Sequence, residues 1–350
     1  MVIIKDIFIM IKITLGHSTL TVTAEGYGCM GLSEFYGPTS ENDAEQILHR
    51  VIDNGINFLD TADIYGYGHN EKLLGKVLQN YAEDKVVVAT KCGIVRDINN
   101  PLHREVNNSR DYILRSFEQS AKRLGRRIDL YYLHRVIQEP ASLKEAMAAM
   151  FQLRSDGRIG AIGLSEVSAN TIRFAHEQLL ELSGGQFGLS AVQTEYSLMS
   201  RDIENNGVLD ICNNLGISVV AYSPVSRGLL SGKLHDLSTL SENDSRRYLP
   251  RFIGKNLKAN NDIVDKLKAF ATVIGMTPAQ LALAWIINND AGIIPIPGTR
   301  TPQYLDENIR AADITLTPEQ ISTISEILSG HEIAGDRYPA EFMKAYGMIR

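Results

Sequence analysis

The chain has 350 residues, 44% of them hydrophobic and 22% charged, with 35 basic against 41 acidic side chains and a formal net charge of −6. That composition suits a globular protein with a large buried core, and the mixed, slightly acidic charge excludes the basic face that a nucleic-acid groove requires. Three cysteines, Cys29, Cys92 and Cys212, with no CxxC spacing, argue against a disulfide scaffold or zinc knuckle and fit a reducing, cytoplasmic compartment.

The opening stretch, MVIIKDIFIMIKI, is broken by Lys5, Asp6 and Lys12. It is too short for a membrane span, which needs roughly 20 apolar residues, and it lacks a small-residue cleavage site. Residues 1–10 are therefore read as an extension ahead of a single domain over 11–350, with no membrane partner. After Ile11, IKITLG and TLTVTAE alternate in the manner of a β-hairpin. Eight short apolar runs follow: GYGC (26–29), INFLD (56–60), KVVVATK (85–91), IDLYYLH (128–134), IGAIGLS (159–165), SAVQTE (190–195), ISVVAYS (217–223) and GIIPIP (292–297). Helical periodicity fills the gaps, for example over 42–54, 109–125 and 142–157, and Thr277-Pro278 and Thr317-Pro318 each open a late helix with a Thr cap and Pro in the first turn. Strands apolar on both faces alternating with helices imply a helix-covered parallel sheet. Eight units favour a closed (β/α)8 TIM barrel, which takes about 250 residues. An open doubly wound sheet is the competitor, and the placement of polar residues decides between them.

Three successive runs end on an ionisable residue: Asp60, Lys91 and His134. A lone charged residue at a strand end is most often a surface or capping group, but three consecutive ends with complementary groups form a pattern. In a barrel these ends meet at the C-terminal rim, where chemistry is housed. Tyr65, five residues past Asp60 in the loop YGYGHNE, can fold back over them. A phenol with a pKa of about 10 is a poor acid; a neighbouring ammonium lowers that pKa, a carboxylate fixes the ammonium, and a histidine can orient a substrate oxygen. Such a site donates a proton to a carbonyl oxygen as charge develops there. The hydride must then come from a cofactor.

At these residues the chain resembles the aldo-keto reductase family. DTADIYGYGHNEKLLG is similar to that family's signature, and the ordered motifs fit from about Ile11 to Tyr346. The resemblance implies that Tyr65 is the general acid/base, that Lys91 lowers its pKa, that Asp60 pairs with Lys91, and that His134 positions the carbonyl of a small-molecule substrate. It implies an N-terminal hairpin and extended loops at the barrel's C-terminal rim.

Gly26-Tyr27-Gly28-Cys29-Met30-Gly31 matches GxGxxG, but no helix starts within the turn as a dinucleotide fingerprint demands. It reads better as a tight loop after the first barrel strand, with Gly28 and Met30 near the nicotinamide. The stronger cofactor signal is GIIPIPGTRTPQYLDENIRA, a strand, a Gly-Thr-Arg turn and a short helix, where barrels often hold phosphates. The resemblance assigns Gly298, Thr299, Arg300, Gln303, Glu307 and Asn308 to the adenosine 2′-phosphate and adenine, which implies NADPH/NADP+. It also assigns Ser165 and Gln193 to the carboxamide, Tyr222 to stacking on the nicotinamide with Ser223 and Pro224 following it, and Gly228, Leu230 and Lys233 of the long 224–258 loop to the pyrophosphate. Glu166 stands where many members carry Asn, and that contact is not carried over. Two other readings stay open: an NADP(H)-binding regulatory subunit resembling potassium-channel β-subunits, and a Schiff-base lyase acting through Lys91. The substrate would be set by residues 94–108, 224–258 and 331–350.

Overall fold

The alternating segment after Ile11 pairs as an antiparallel hairpin of β1 (Lys12–Thr14) and β2 (Thr21–Thr23). Its anchors lie at strand starts: Thr23 N donates to Asn57 Oδ1 and Gly16 N to Ser218 Oγ. Leu15 and Val22 pack with the residues that fill the barrel, so the hairpin closes its N-terminal end. The computed structural model describes residues 11–289 and 292–345; the expected extension over 1–10 lies outside them.

The eight apolar runs form β3 (Tyr27–Gly28), β4 (Phe58–Asp60), β5 (Val87–Cys92), β8 (Ile128–Leu133), β9 (Ile159–Ser165), β10 (Ala191–Glu195), β11 (Ser218–Tyr222) and β12 (Ile294–Pro295). All neighbours in this order are parallel. The ends of the sheet meet: Gly26 N donates to Pro295 O at 2.9 Å and Gly28 N to Pro297 O at 3.3 Å. At this seam a Cβ on Gly28 would lie 2.8 Å from Ile296 O, and one on Gly298 2.5 Å from Gly28 O, so only glycine allows the approach. Phe58, Val87, Ala89, Leu130, Tyr132, Ala161, Ala191, Val220, Ile294 and Ile296 fill the interior. The Tyr132 ring occupies the place of a side chain at Gly163, whose Cβ would fall 2.4 Å from it.

The outer layer is α1 (Glu41–Asp53), α2 (His69–Leu78), α3 (Arg110–Leu124), α4 (Pro140–Ser155), α5 (Ala169–Leu182), α6 (Val208–Asn214), α8 (Pro278–Ile287) and α9 (Pro302–Ile309). In α1, Ser40 caps the Asp43 N–H and Ala44, Ile47, Leu48, Val51 and Ile52 are buried, a helical stripe turned to the strands. Thr277 and Thr317 form full capping boxes with Gln280 and Gln320. Outside the repeat lie α7 (Lys255–Val273), α10 (Pro318–Ser329) and α11 (Ala340–Ala345). The loop expected after β5 contains a second hairpin, β6 (Ile94–Asp97) with β7 (Asn100–Val106), whose register shifts between Arg96 and Asp97. Among the described residues no single helix is long and apolar enough to cross a membrane.

Candidate active site

The rim brings the four ionisable residues together. Lys91, fully buried at the end of β5, donates from Nζ to Asp60 Oδ1 at 2.5 Å and to Thr61 O at 2.7 Å. The other Asp60 oxygen accepts from Gln193 Nε2 at 2.8 Å. The Lys91 ammonium lies 5.2 Å from the centroid of the Tyr65 ring. The Tyr65 and His134 rings meet edge to face, 5.8 Å apart at 86°. His134 Nδ1 is buried with no hydrogen-bond partner among the described residues, an orphan that points to a role toward a ligand.

Burial pushes the Tyr65 phenol well above its usual pKa; Asp60 adds to the push and Arg135 opposes it. Burial outweighs the lowering expected from Lys91, whose ammonium lies beside the ring. Burial, then Lys91, then Arg135 hold the His134 imidazole well below its ordinary value. At neutral pH the site therefore presents a protonated phenol beside a neutral imidazole.

The loop carrying Tyr65 is fastened from behind. Asn70 accepts from Thr61 Oγ1 at 2.6 Å and donates to Cys29 O and Ser33 Oγ. Glu71, wholly buried at the start of α2, accepts from Thr90 Oγ1 at 2.5 Å and Arg123 Nε at 2.6 Å. Sequence reasoning passed over both, although they sit inside the quoted DTADIYGYGHNEKLLG segment.

The expected cofactor residues fall on barrel strands, in the loops after β3, β11 and β12, and on α9. Gly28 ends β3 and Met30 opens the turn after it; Ser165 is buried at the end of β9 and Gln193 in the middle of β10; Tyr222 ends β11, its hydroxyl 3.4 Å from that of Tyr338. Ser223 turns the chain at φ 52°, Pro224 is buried, and Gly228 follows at φ 91°. Leu230 is in the core, so only its backbone can face a ligand. Lys233 is exposed, its Nζ 4.0 Å over the Tyr304 ring of α9. Gly298 and Gln303 are exposed, Thr299, Arg300 and Glu307 half-buried, and Asn308 buried. Arg300 donates from Nη1 to Gly37 O, Pro38 O and Thr39 Oγ1. Two cations, Lys233 and Arg300, thus flank the first turn of α9, a set that fits an anionic phosphate.

A profile of the Aldo/keto reductase family matches residues 26–329. The chain belongs to the aldo/keto reductase family. Among characterised relatives, aldo-keto reductase yakc [NADP(+)] of Schizosaccharomyces pombe is 39% identical over 325 residues, covering 91% of this chain and 92% of that protein. Of solved structures, the holo form of the aldo-keto reductase AKR11C1 from Bacillus halodurans superposes with a TM-score of 0.73 at 28% identity, covering 93% and 98% of the two chains. The glycerol dehydrogenase AKR11B4 from Gluconobacter oxydans, at 24% identity, shares the fold with a TM-score of 0.79 over 93% of this chain and 97% of its own.

In this aldo/keto reductase Glu166 makes a buried ion pair. The residue follows β9 at φ 55° and its carboxylate turns to Arg337, with Nη1 and Nη2 each at 3.1 Å; Glu195 N donates to it at 2.9 Å. Glu195 in turn holds Arg227 at 2.8 Å, and the Arg227 guanidinium lies 4.6 Å over the Tyr338 ring. Two buried ion pairs thus pin residues 337–338 beside Tyr222. Nothing in the sequence links Glu166 to a residue 171 positions away.

Proposed function

We propose that the chain reduces an aldehyde or ketone to an alcohol with NADPH, with Tyr65 giving the proton to the carbonyl oxygen. What carries the reading is the buried, protonated Tyr65 phenol held between a neutral His134 ring and the Lys91–Asp60 pair. The phenol keeps its proton until negative charge grows on a nearby oxygen. His134, kept neutral, can hydrogen-bond that oxygen and fix its direction without acting as the acid. As the proton leaves, the Lys91 ammonium stabilises the phenolate, and Asp60 holds that ammonium in place.

Arg300 and Lys233 would hold the phosphate groups of the cofactor, and Tyr222, Ser165 and Gln193 its nicotinamide end. When bound, the dihydronicotinamide supplies the hydride that no side chain can. The NADP(+) in the name of the S. pombe relative supports this choice, and Arg300 gives it a physical basis: Arg300→Ala should weaken NADPH far more than NADH, and equal losses would contradict it.

The deciding assay follows NADPH oxidation with a panel of aldehydes, wild type beside Tyr65→Phe. Loss of the phenol should cost about 10²–10⁴ in rate and leave NADPH binding intact. Wild-type protein that binds NADPH tightly yet turns over no aldehyde would instead favour a regulatory subunit.

A further inference from the structure

Arg96, on the β6–β7 hairpin, is bound to two neighbouring rim loops at once. Its Nη1 donates to Glu34 Oε1 at 2.7 Å, Glu34 Oε2 at 2.8 Å and Ile64 O at 2.7 Å. Glu34 belongs to the loop after β3, and Ile64 is the residue before Tyr65. The guanidinium also lies 4.2 Å from the Tyr67 ring centroid and 5.8 Å from that of Phe35. Its side chain is only 8% exposed.

The two rings it touches belong to residues in a conformation that L side chains avoid. Phe35 has φ 75° and Tyr67 φ 53°, and Tyr67 is flanked by Gly66 at φ 56° and Gly68 at φ 86°. The segment just after Tyr65 is thus left-handed over three residues, one of them an aromatic. Strained backbone persists only where its surroundings over-determine it. Arg96 supplies that restraint at the carbonyl before Tyr65 and at the ring two residues after it. The irregularity between Arg96 and Asp97 lies where bulges commonly re-aim a side chain toward a site.

We propose that Arg96 is a positioning residue for Tyr65, clamping the loops after β3 and β4 so that the phenol stays in register with His134. The proposal rests on Tyr65 being the proton donor, and the test separates the two. Arg96→Ala should lower kcat by about 10- to 100-fold, the cost of a misplaced catalytic group, with KM for a small aldehyde and the NADPH dissociation constant unchanged. A soluble guanidinium compound at millimolar concentration should restore part of that kcat in Arg96→Ala and none in Tyr65→Phe. Arg96→Lys keeps the charge and one of the two anchors, so its kcat should be intermediate at the same KM, which also covers the case in which the alanine variant does not fold. Full kcat in Arg96→Ala beside an inactive Tyr65→Phe overturns the proposal and leaves the proton donor standing. A loss confined to KM also overturns it, since that marks a substrate contact. An active Tyr65→Phe sinks the underlying reading instead.

Discussion

The carbonyl oxygen of Gly28 lies 2.5 Å from the point where a side chain on Gly298 would begin. The seam that closes the barrel is therefore backbone against backbone, and a methyl group at 298 has no flexible neighbour to push aside. Gly298→Ala should cost about 1–3 kcal/mol, the usual range for overpacking, and weaken NADPH because the same turn leads to Arg300. Urea unfolding and a fluorescence titration would check both; wild-type stability in the variant would refute a tight seam.

Asp60 serves Lys91 with one oxygen and Gln193 with the other. Asp60→Asn removes the counter-charge of a buried ammonium and leaves it only neutral acceptors, the amide oxygen and the Thr61 carbonyl, a loss on the order of 3–5 kcal/mol. Removing both charges, as in Asp60→Asn with Lys91→Met, should recover part of that stability while remaining inactive. If the double variant is no more stable than the single one, the uncompensated charge is not the cause.

Glu25 is buried with neither carboxylate oxygen bonded among the described residues, and burial raises its pKa to about 8. A raised acid contributes stability that is complete below the unfolded value of about 4.5 and is lost as pH climbs from there to about 8. Wild type should lose a few kcal/mol across that window, on the order of 1.4 kcal/mol for each pH unit between the two values. Glu25→Gln should flatten the slope and be the more stable protein at pH 9 (about one pH unit above the raised value). Parallel stability curves for the two proteins would rule this out.

Catalysis should show the opposite insensitivity. The proposed reduction needs Tyr65 protonated and His134 neutral; burial holds the pKa of the first up and that of the second down. kcat should therefore stay level between about pH 6 and pH 9, with no break near the ordinary histidine value of about 6.5. A drop of kcat centred there would assign the titration to an unshifted imidazole.

Arg337 is the sole cation bonded bidentately to Glu166 among the described residues. Arg337→Leu leaves that carboxylate buried with the Glu195 N–H, the Thr194 hydroxyl and the nearby charge of Arg135 to offset it, at a cost of up to about 3–5 kcal/mol. Tyr338 should shift with it, so the ratio of kcat/KM for bulky over small aldehydes should change by more than about threefold. An unchanged ratio would place Tyr338 outside the substrate's path.

What the sequence made legible was set by local chemistry. Strands buried on both faces read as unbroken apolar runs, and Asp60, Lys91 and His134 stand out because each ends such a run. The β6–β7 hairpin stayed hidden because its strands mix polar and apolar residues and pair only with each other, and its role depends on Arg96 reaching Glu34 and Ile64, 62 and 32 residues back. Arg337 was equally invisible, since an arginine in a polar tail gives no hint of a partner on β9's far end. Spacing names residues that act from one loop; it is mute on charges that meet across the fold.

Tyr132 and Gly163 sit on adjacent strands, and the ring of one fills the volume a side chain on the other would claim. The two positions therefore cannot drift independently. A descendant that acquires alanine at 163 must first have traded the tyrosine for something smaller, and one that loses the tyrosine inherits a hollow that only a larger residue at 163 repairs. Seen across many lineages, this pair should travel as a single allele.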